Sequence, residues 1–96
     1  MDNSLSYADI IQNTLIDATK DQPRIQAIKL YPVCDRESGQ FLILATGWDK
    51  QRWINTILFH AHLVDRDVIL EEDNFEEGLT ANLIAAGINQ EDIIIR

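Results

Sequence analysis

The sequence predicts a single α+β domain, in which a helix, an antiparallel sheet and a second helix follow one another along the chain. Apolar residues recur at helical spacing near both ends, and the four apolar runs between them are separated by loops too short for a crossover connection. The 96 residues provide for one hydrophobic core. We therefore expect residues 1–96 to form one domain with an N-terminal helix, a four-stranded antiparallel meander sheet, a C-terminal helix and a short apolar tail.

Residues 6–19 have the features of an amphipathic helix. Ser6 and Asp9 have the spacing of a capping box, in which a hydroxyl and a carboxylate satisfy free N–H groups of the first turn. Pro23 prevents the helix from continuing. The apolar residues that share one helical face are Ala8, Ile11, Leu15 and Ala18.

Four runs rich in β-branched, aromatic and other apolar residues predict the strands, at residues 25–33, 41–48, 52–64 and 68–72. Pro32 cannot donate a backbone hydrogen bond, so the first strand is expected to lie at an edge of the sheet or to end there. The connecting loops are short and polar, which favours neighbouring antiparallel strands.

The second helix is predicted over residues 75–86. Asn74 and Glu77 have N-cap and N3 spacing, and acidic residues are favoured in a first helical turn. Gly87 is a typical residue to end such a helix. The tail at residues 92–96 is short and apolar, and it could add a strand to the sheet.

The predicted sheet has more apolar surface than two short helices can cover. The second and third strands are apolar on both faces, so one face needs a further cover or serves as an interaction surface. We expect this face to support a homodimer or a higher oligomer. The candidate residues of the interaction surface are Leu42, Leu44, Trp48, Ile54 and Leu58.

Two histidines supply the clearest chemical groups. His60 and His62 are two residues apart on a strand and so point to the same side, as a zinc site requires. A metal-dependent hydrolase that uses this pair and a nearby carboxylate is therefore the alternative function. The sequence places no third or fourth ligand, so we expect no metal, no cofactor and no enzymatic activity.

Two further clusters have structural explanations. The carboxylates of residues 71–77 fit a strand end and the first turn of a helix. Trp48, Lys50, Arg52 and Trp53 form a basic and aromatic cluster of the kind that stacks on single-stranded nucleic acid. Because two cations are few in a chain of net charge −8, a turn packed against its own tryptophans is the better interpretation.

Charge and composition exclude several classes of protein. Hydrophobic residues make up 46% and charged residues 25% of the chain, as in soluble globular domains. The 16 acidic and 8 basic residues repel nucleic acids and anionic lipids, so we expect neither direct nucleic-acid binding nor membrane association. Cys34 has no partner for an internal disulfide, and Asp2 stands where a signal peptide is basic. We therefore expect a cytoplasmic protein.

Several short motifs occur in an order that resembles the XisI family, the fdxN element excision controlling factors of cyanobacteria. A Gly-Trp-Asp triplet precedes a strand with a histidine, an acidic strand end, a helix start and a Gly-Ile segment that ends in Asp-Ile-Ile. The positions that fit the family pattern are Gly47, Trp48, Asp49, His60, Asp73, Glu76, Gly78, Gly87 and Asp92. Phe75 and Asn89 depart from the pattern, which usually has Thr and Pro there.

The resemblance implies a role in the control of site-specific DNA rearrangement, alongside a partner called XisH that resembles a restriction-type nuclease. It implies neither a catalytic activity nor an active site. We therefore expect a non-enzymatic accessory protein that binds and regulates a basic, nuclease-like protein partner. The nine acidic and two basic residues of segment 64–96 would suit such a partner.

Overall fold

The structure is a computed structural model that describes residues 6–20, 27–75 and 78–96. The elements along this part of the chain are α1 (Tyr7–Ala18), β1 (Ala27–Asp35), β2 (Gln40–Asp49), β3 (Arg52–Val64), β4 (Asp67–Asp73), α2 (Thr80–Ala85), a 3₁₀ turn (Gln90–Asp92) and β5 (Ile93–Ile95). The predicted α+β class is confirmed. Helices long and apolar enough to span a bilayer do not occur in the described ranges.

The sheet has five strands in the order β1-β2-β3-β4-β5, with β1 at one edge. β1 to β4 form the predicted antiparallel meander, but β5 pairs with β4 in parallel. The prediction of a four-stranded, wholly antiparallel sheet is wrong in this respect. The chain passes through α2 between β4 and β5, and this crossover returns it in the direction of β4.

The start of α1 is the predicted capping box. The backbone N–H of Asp9 donates to the Ser6 hydroxyl at 3.2 Å, and the Ser6 N–H donates to the Asp9 carboxylate at 3.4 Å. The side of the helix that faces the sheet buries Ile10, Ile11, Thr14 and Leu15.

The second helix is shorter than predicted, because it begins at Thr80 rather than near residue 75. Gly78 has a φ of +75°, a left-handed conformation that interrupts a helix. The predicted Asn74 cap is wrong: Asn74 donates to the Glu72 carboxylate, and Asp73 accepts the N–H of Leu79 at 2.8 Å. The predicted cap partner Glu77, the family position Glu76 and the predicted strand start at residues 25–26 lie outside the described residues.

Both helices pack on one face of the sheet. The fully buried side chains there include Phe41 and Ile43 from β2 and Phe59 from β3. The complete cluster of buried residues is Ile10, Ile11, Leu15, Phe41, Ile43, Phe59, Ala61, Val68, Leu70, Leu79, Leu83 and Ile88. We call the opposite face of the sheet, which carries the exposed Tyr31, Trp48 and Trp53, the open face.

A β-bulge divides β3 into two halves with opposite alternation. Ile43 pairs with Phe59 and Leu44 pairs with Ile57, so Leu58 is the extra residue between them. Phe59 therefore faces the helices, whereas Ile57 lies beside Leu44 on the open face. Strict alternation along residues 52–64 would have put Ile57 and Phe59 on the same face.

Candidate interaction surface

The open face consists of side chains from all five strands. Its members follow from the register, because residues paired across antiparallel strands point to the same side. The apolar and aromatic residues of this face are Tyr31, Val33, Leu42, Leu44, Trp48, Trp53, Ile57, Val64, Ile69 and Ile94.

Six of these side chains are exposed. Trp48 and Trp53 are 52% and 54% exposed, Tyr31 is 48% exposed, and Val33, Val64 and Ile94 are each about 40% exposed. At about 150 to 250 Å² for each fully exposed aromatic side chain, the two tryptophans and Tyr31 present roughly 230 to 390 Å² to solvent, and the three aliphatic residues add to this. The largest apolar patch of a typical monomer is about 300 to 600 Å², so the exposed apolar surface of this face is comparable to it.

The two tryptophans form a pair at one end of the face. Trp48 in β2 is directly opposite Trp53 in β3, and their ring centroids are 5.2 Å apart at an interplanar angle of 73°. This edge-to-face contact matches the interpretation that the turn packs against its own tryptophans. Next to them in sequence are Lys50 of the β2–β3 turn and Arg52, the first residue of β3.

We call this end of the sheet the tip. It carries three bases, Lys29, Lys50 and Arg52, and one acid, Asp49, which leaves a local charge of 3 − 1 = +2. All four side chains belong to exposed residues. The tip is therefore basic within a chain of net charge −8.

The opposite end of the sheet collects exposed carboxylates from three separate segments. The β1–β2 and β3–β4 loops lie side by side there, since Leu63 N–H donates to Gly39 C=O at 2.8 Å. The 3₁₀ turn reaches the same end, because Ile93 pairs with Val68 at the start of β4. We use the name acidic end for the exposed carboxylates Asp35, Glu37, Asp65, Asp67 and Glu91. With the neighbouring Arg36 and Arg66 included, the charge of this end is 2 − 5 = −3.

The two histidines share the open face, as their spacing predicted. His60 is paired with Leu42 and His62 with Gln40. The Nε2 atom of His60 lies 2.6 Å from the amide oxygen of Gln40, which fits an N–H donated by the ring. Within residues 6–20, 27–75 and 78–96, no three side chains of His, Cys, Asp or Glu are grouped closely enough to hold a metal ion.

The predicted surface residues divide into two groups. Leu42, Leu44 and Trp48 lie on the open face. Ile54 pairs with Gly47 on the side of the helices, and Leu58 packs against the core cluster, so neither belongs to the open face. The bulge explains both differences, because it shifts the alternation at Leu58.

Several residues of this face were not predicted from the sequence. They are Tyr31 and Val33 from β1, Trp53, Ile57 and Val64 from β3, Ile69 from β4 and Ile94 from β5. Alternation from Leu30 would have identified Tyr31 and Val33. Residues beyond the bulge and in β5 could not be assigned in this way, because their facing depends on strand pairing.

Two of the family positions hold the β-sheet and α2 in place. A Cβ on Gly47 would lie 1.9 Å from the carbonyl oxygen of Ala27, so β1 can approach only a glycine here. The Asp73 carboxylate accepts hydrogen bonds from the backbone N–H of Leu79 and, at 3.5 Å, from the Thr80 hydroxyl. A Cβ on Gly78 would lie 3.2 Å from the same carboxylate. These positions support the fold rather than a shared reactive centre.

A third family position connects the two ends of the chain. The Tyr7 hydroxyl donates to the Asp92 carboxylate at 2.5 Å and accepts the N–H of Asn89 at 3.2 Å. These contacts join the first turn of α1 to the segment that leads into β5. A Cβ on Gly87 would lie 3.3 Å from the Cδ1 atom of Ile10 in α1.

Three pKa shifts accompany local contacts in α1 and β1. The side-chain hydrogen bond from Arg36, together with Ser6, lowers the pKa of Asp9, and the Arg36–Asp9 distance is 2.7 Å. A hydrogen bond from the Ser38 hydroxyl lowers the pKa of Asp35. Burial raises the pKa of the Cys34 thiol.

These features define a small α+β protein in which helices cover one face of a mixed sheet and the other face carries exposed aromatic residues. The whole chain, residues 1–96, matches the family model described as XisI protein. The protein belongs to the XisI family.

Two crystal structures of proteins from Anabaena variabilis have the same fold. A XisI-like protein superimposes with a TM-score of 0.82 at 19% identity, over 92% of this chain and 81% of that one. The fdxN element excision controlling factor XisI superimposes with a TM-score of 0.66 at 22% identity, over 92% of this chain and 86% of that one. No curated protein sequence matches the chain.

Proposed function

We propose that this chain is a non-enzymatic accessory protein in the control of DNA-element excision, and that it acts by binding protein partners. The proposed role in excision control is supported by membership of the XisI family and by the likeness to an fdxN element excision controlling factor. The observation that carries the binding role is the open face, where both tryptophans of the chain are about half exposed. Exposed aromatic residues on a surface whose centre has few charged groups are typical of protein interfaces.

The partner in this proposal is a nuclease-like protein of the XisH type. A nuclease needs a basic surface to contact phosphates, and a basic surface attracts carboxylates. The acidic end offers exposed carboxylates from the β1–β2 loop, the β3–β4 loop and the 3₁₀ turn. In this arrangement the acidic end binds the nuclease-like partner and the open face remains free for another contact.

Co-elution is the direct test of the proposed function. The protein and an XisH-type protein from the same genome are expressed together, and gel filtration is run at about 0.15 M salt. We expect one peak that contains both chains and that separates as the salt concentration rises, because exposed charges are screened. Separate elution at micromolar concentration would contradict the proposal.

Charge reversal tests which surface is used. Asp65→Lys and Glu91→Lys change exposed residues of the acidic end, and both are expected to weaken the complex. Asp17→Lys is the matched control, because Asp17 is an exposed acid at the C-terminal end of α1 and does not belong to the acidic end. Equal effects of all three substitutions would show that net charge, rather than the acidic end, governs binding.

A further inference from the structure

We infer that the open face is closed by a second copy of this chain, and that the two copies run antiparallel so that the tip of each lies against the acidic end of the other. The inference deepens the proposed function and rests on its use of the open face for protein contacts. The nuclease-like partner and the tip of a second copy both contact the acidic end in these proposals, so the two complexes are expected to compete. Self-association is measured on the chain alone and co-elution on the mixture, so failure of one is distinguishable from failure of the other.

The size of the open face fits a dimer interface. A standard interface buries about 800 Å² from each partner. The three exposed aromatic side chains provide roughly 230 to 390 Å² of this area, and Val33, Val64 and Ile94 add to it. The half-buried Leu42, Leu44 and Ile57 and the polar groups between them, which include His60 and His62, extend the same surface.

The middle of the open face has few charged groups, which permits a close approach of two copies. Leu42, Leu44 and Ile57 form its centre, and the nearest ionisable groups there are His60 and His62, with Glu72 paired to His60 at the β4 side. The remaining charges are concentrated at the two ends of the sheet. Two sheets of this kind can stack face to face with apolar side chains between them, as in a β-sandwich.

The charges at the two ends select the relative orientation. A twofold axis along the strands would place tip on tip, with +2 against +2, and acidic end on acidic end, with −3 against −3. A twofold axis across the strands places each tip on the acidic end of the other copy, which forms two attractive contacts. Like charges in an interface disfavour the first arrangement, so we assign the second.

The antiparallel arrangement also determines which residues cover the tryptophan pair. The midpoint of the face lies near Leu44 and Ile57, between the tryptophan pair and the Gln40–His62 pair. A twofold axis at that midpoint brings Trp48 and Trp53 of one copy over the His62 and Val64 region of the second copy. The two exposed indole rings would then be covered at the ends of the interface.

Sedimentation equilibrium of the full chain at micromolar concentration tests the dimer. We expect about 22 kDa, twice the chain mass of 11.0 kDa. Leu44→Asp at the centre and Trp53→Ala at the tip are each expected to weaken association by about 30-fold or more, the size of an interface hot spot. Ile16→Asp is the control, because Ile16 is an exposed apolar residue on α1, on the other side of the sheet.

Circular dichroism shows whether each variant is folded. If Leu44→Asp fails to fold, Trp53→Ala still tests the interface, because it changes a half-exposed side chain. An 11.0 kDa wild-type monomer would overturn the inference. So would a dimer that persists in both open-face variants, because the contact would then lie elsewhere.

Compensating charge reversals test the orientation. Lys29→Glu with Lys50→Glu reverses the tip and is expected to weaken the dimer about tenfold, since exposed charge pairs each contribute little. Addition of Asp65→Lys and Asp67→Lys restores opposite charges in the antiparallel arrangement and is expected to recover the affinity. Failure of this rescue would overturn the antiparallel assignment.

Discussion

Removal of a single hydroxyl group should measure how strongly the two ends of the chain are joined. In Tyr7→Phe the ring is retained, but the hydrogen bonds to the Asp92 carboxylate at 2.5 Å and from the Asn89 N–H at 3.2 Å are lost. A hydrogen bond to a charged group contributes about 1.5 to 3 kcal/mol, and the bond here is only partly buried. The Asn89 N–H is exposed and can bond to water instead.

We therefore expect Tyr7→Phe to lower the free energy of unfolding by about 2 kcal/mol. For a domain of this size the melting temperature should fall by roughly 10 °C. Urea titration followed by circular dichroism, at one fixed protein concentration, gives the value. A fixed concentration matters because self-association adds to the apparent stability.

Tyr31→Phe is the matched control for this substitution. Tyr31 lies on the open face and is 48% exposed, and removal of its hydroxyl should change the stability by less than about 0.5 kcal/mol. A double-mutant cycle of Tyr7→Phe with Asp92→Ala should give a coupling energy of about 1 to 2 kcal/mol. Equal effects of the two tyrosine substitutions, or no coupling to Asp92, would refute the assignment of this contact as a link between the chain ends.

Three further predictions concern backbone packing, acid stability and metal. Gly47→Ala should cost about 3 kcal/mol or more in a urea titration, because the new methyl group meets the Ala27 carbonyl; Gly78→Ala, with only the Asp73 carboxylate 3.2 Å away, should cost less. Because the pKa of Asp9 is lowered in the folded state, its contribution is present above the ordinary pKa of 3.8 and is lost as the pH falls through the folded value. Asp9→Asn should therefore reduce stability at neutral pH and have a progressively smaller effect in acid; a pH-independent difference would contradict this. Elemental analysis should find no stoichiometric zinc, whereas one zinc per chain that His60→Ala removes would favour the alternative metal-dependent enzyme.

Local patterns were sufficient to predict much of the fold. The Ser6–Asp9 spacing correctly predicted the start of α1, and Pro32 correctly indicated an edge strand. The short polar loops correctly predicted the order of β1 to β4. Each of these signals depends on residues that are close in sequence, which is why sequence alone carries them.

The features of the fold that the sequence did not predict, or predicted wrongly, depend on contacts between residues that are far apart in the chain. The bulge at Leu58 reverses the alternation of β3, and nothing near Leu58 marks the extra residue. Ile54 and Leu58 were therefore assigned to the wrong face. The direction of β5 is determined by where the chain re-enters the sheet after α2, and the link between Tyr7 and Asp92 spans 85 positions. Neither could be deduced from spacing along the chain.

Fluorescence quenching shows whether the open face is a protein-binding surface. The chain has two tryptophans, Trp48 and Trp53, and both lie on that face about half exposed. Acrylamide quenching is measured from nanomolar to tens of micromolar protein, with Leu44→Asp as the control. We expect quenching to decrease as the protein concentration rises, because a second copy covers both rings, and to stay high in Leu44→Asp. Quenching that remains high and independent of concentration in the wild-type protein would show that the open face is not covered by a second copy.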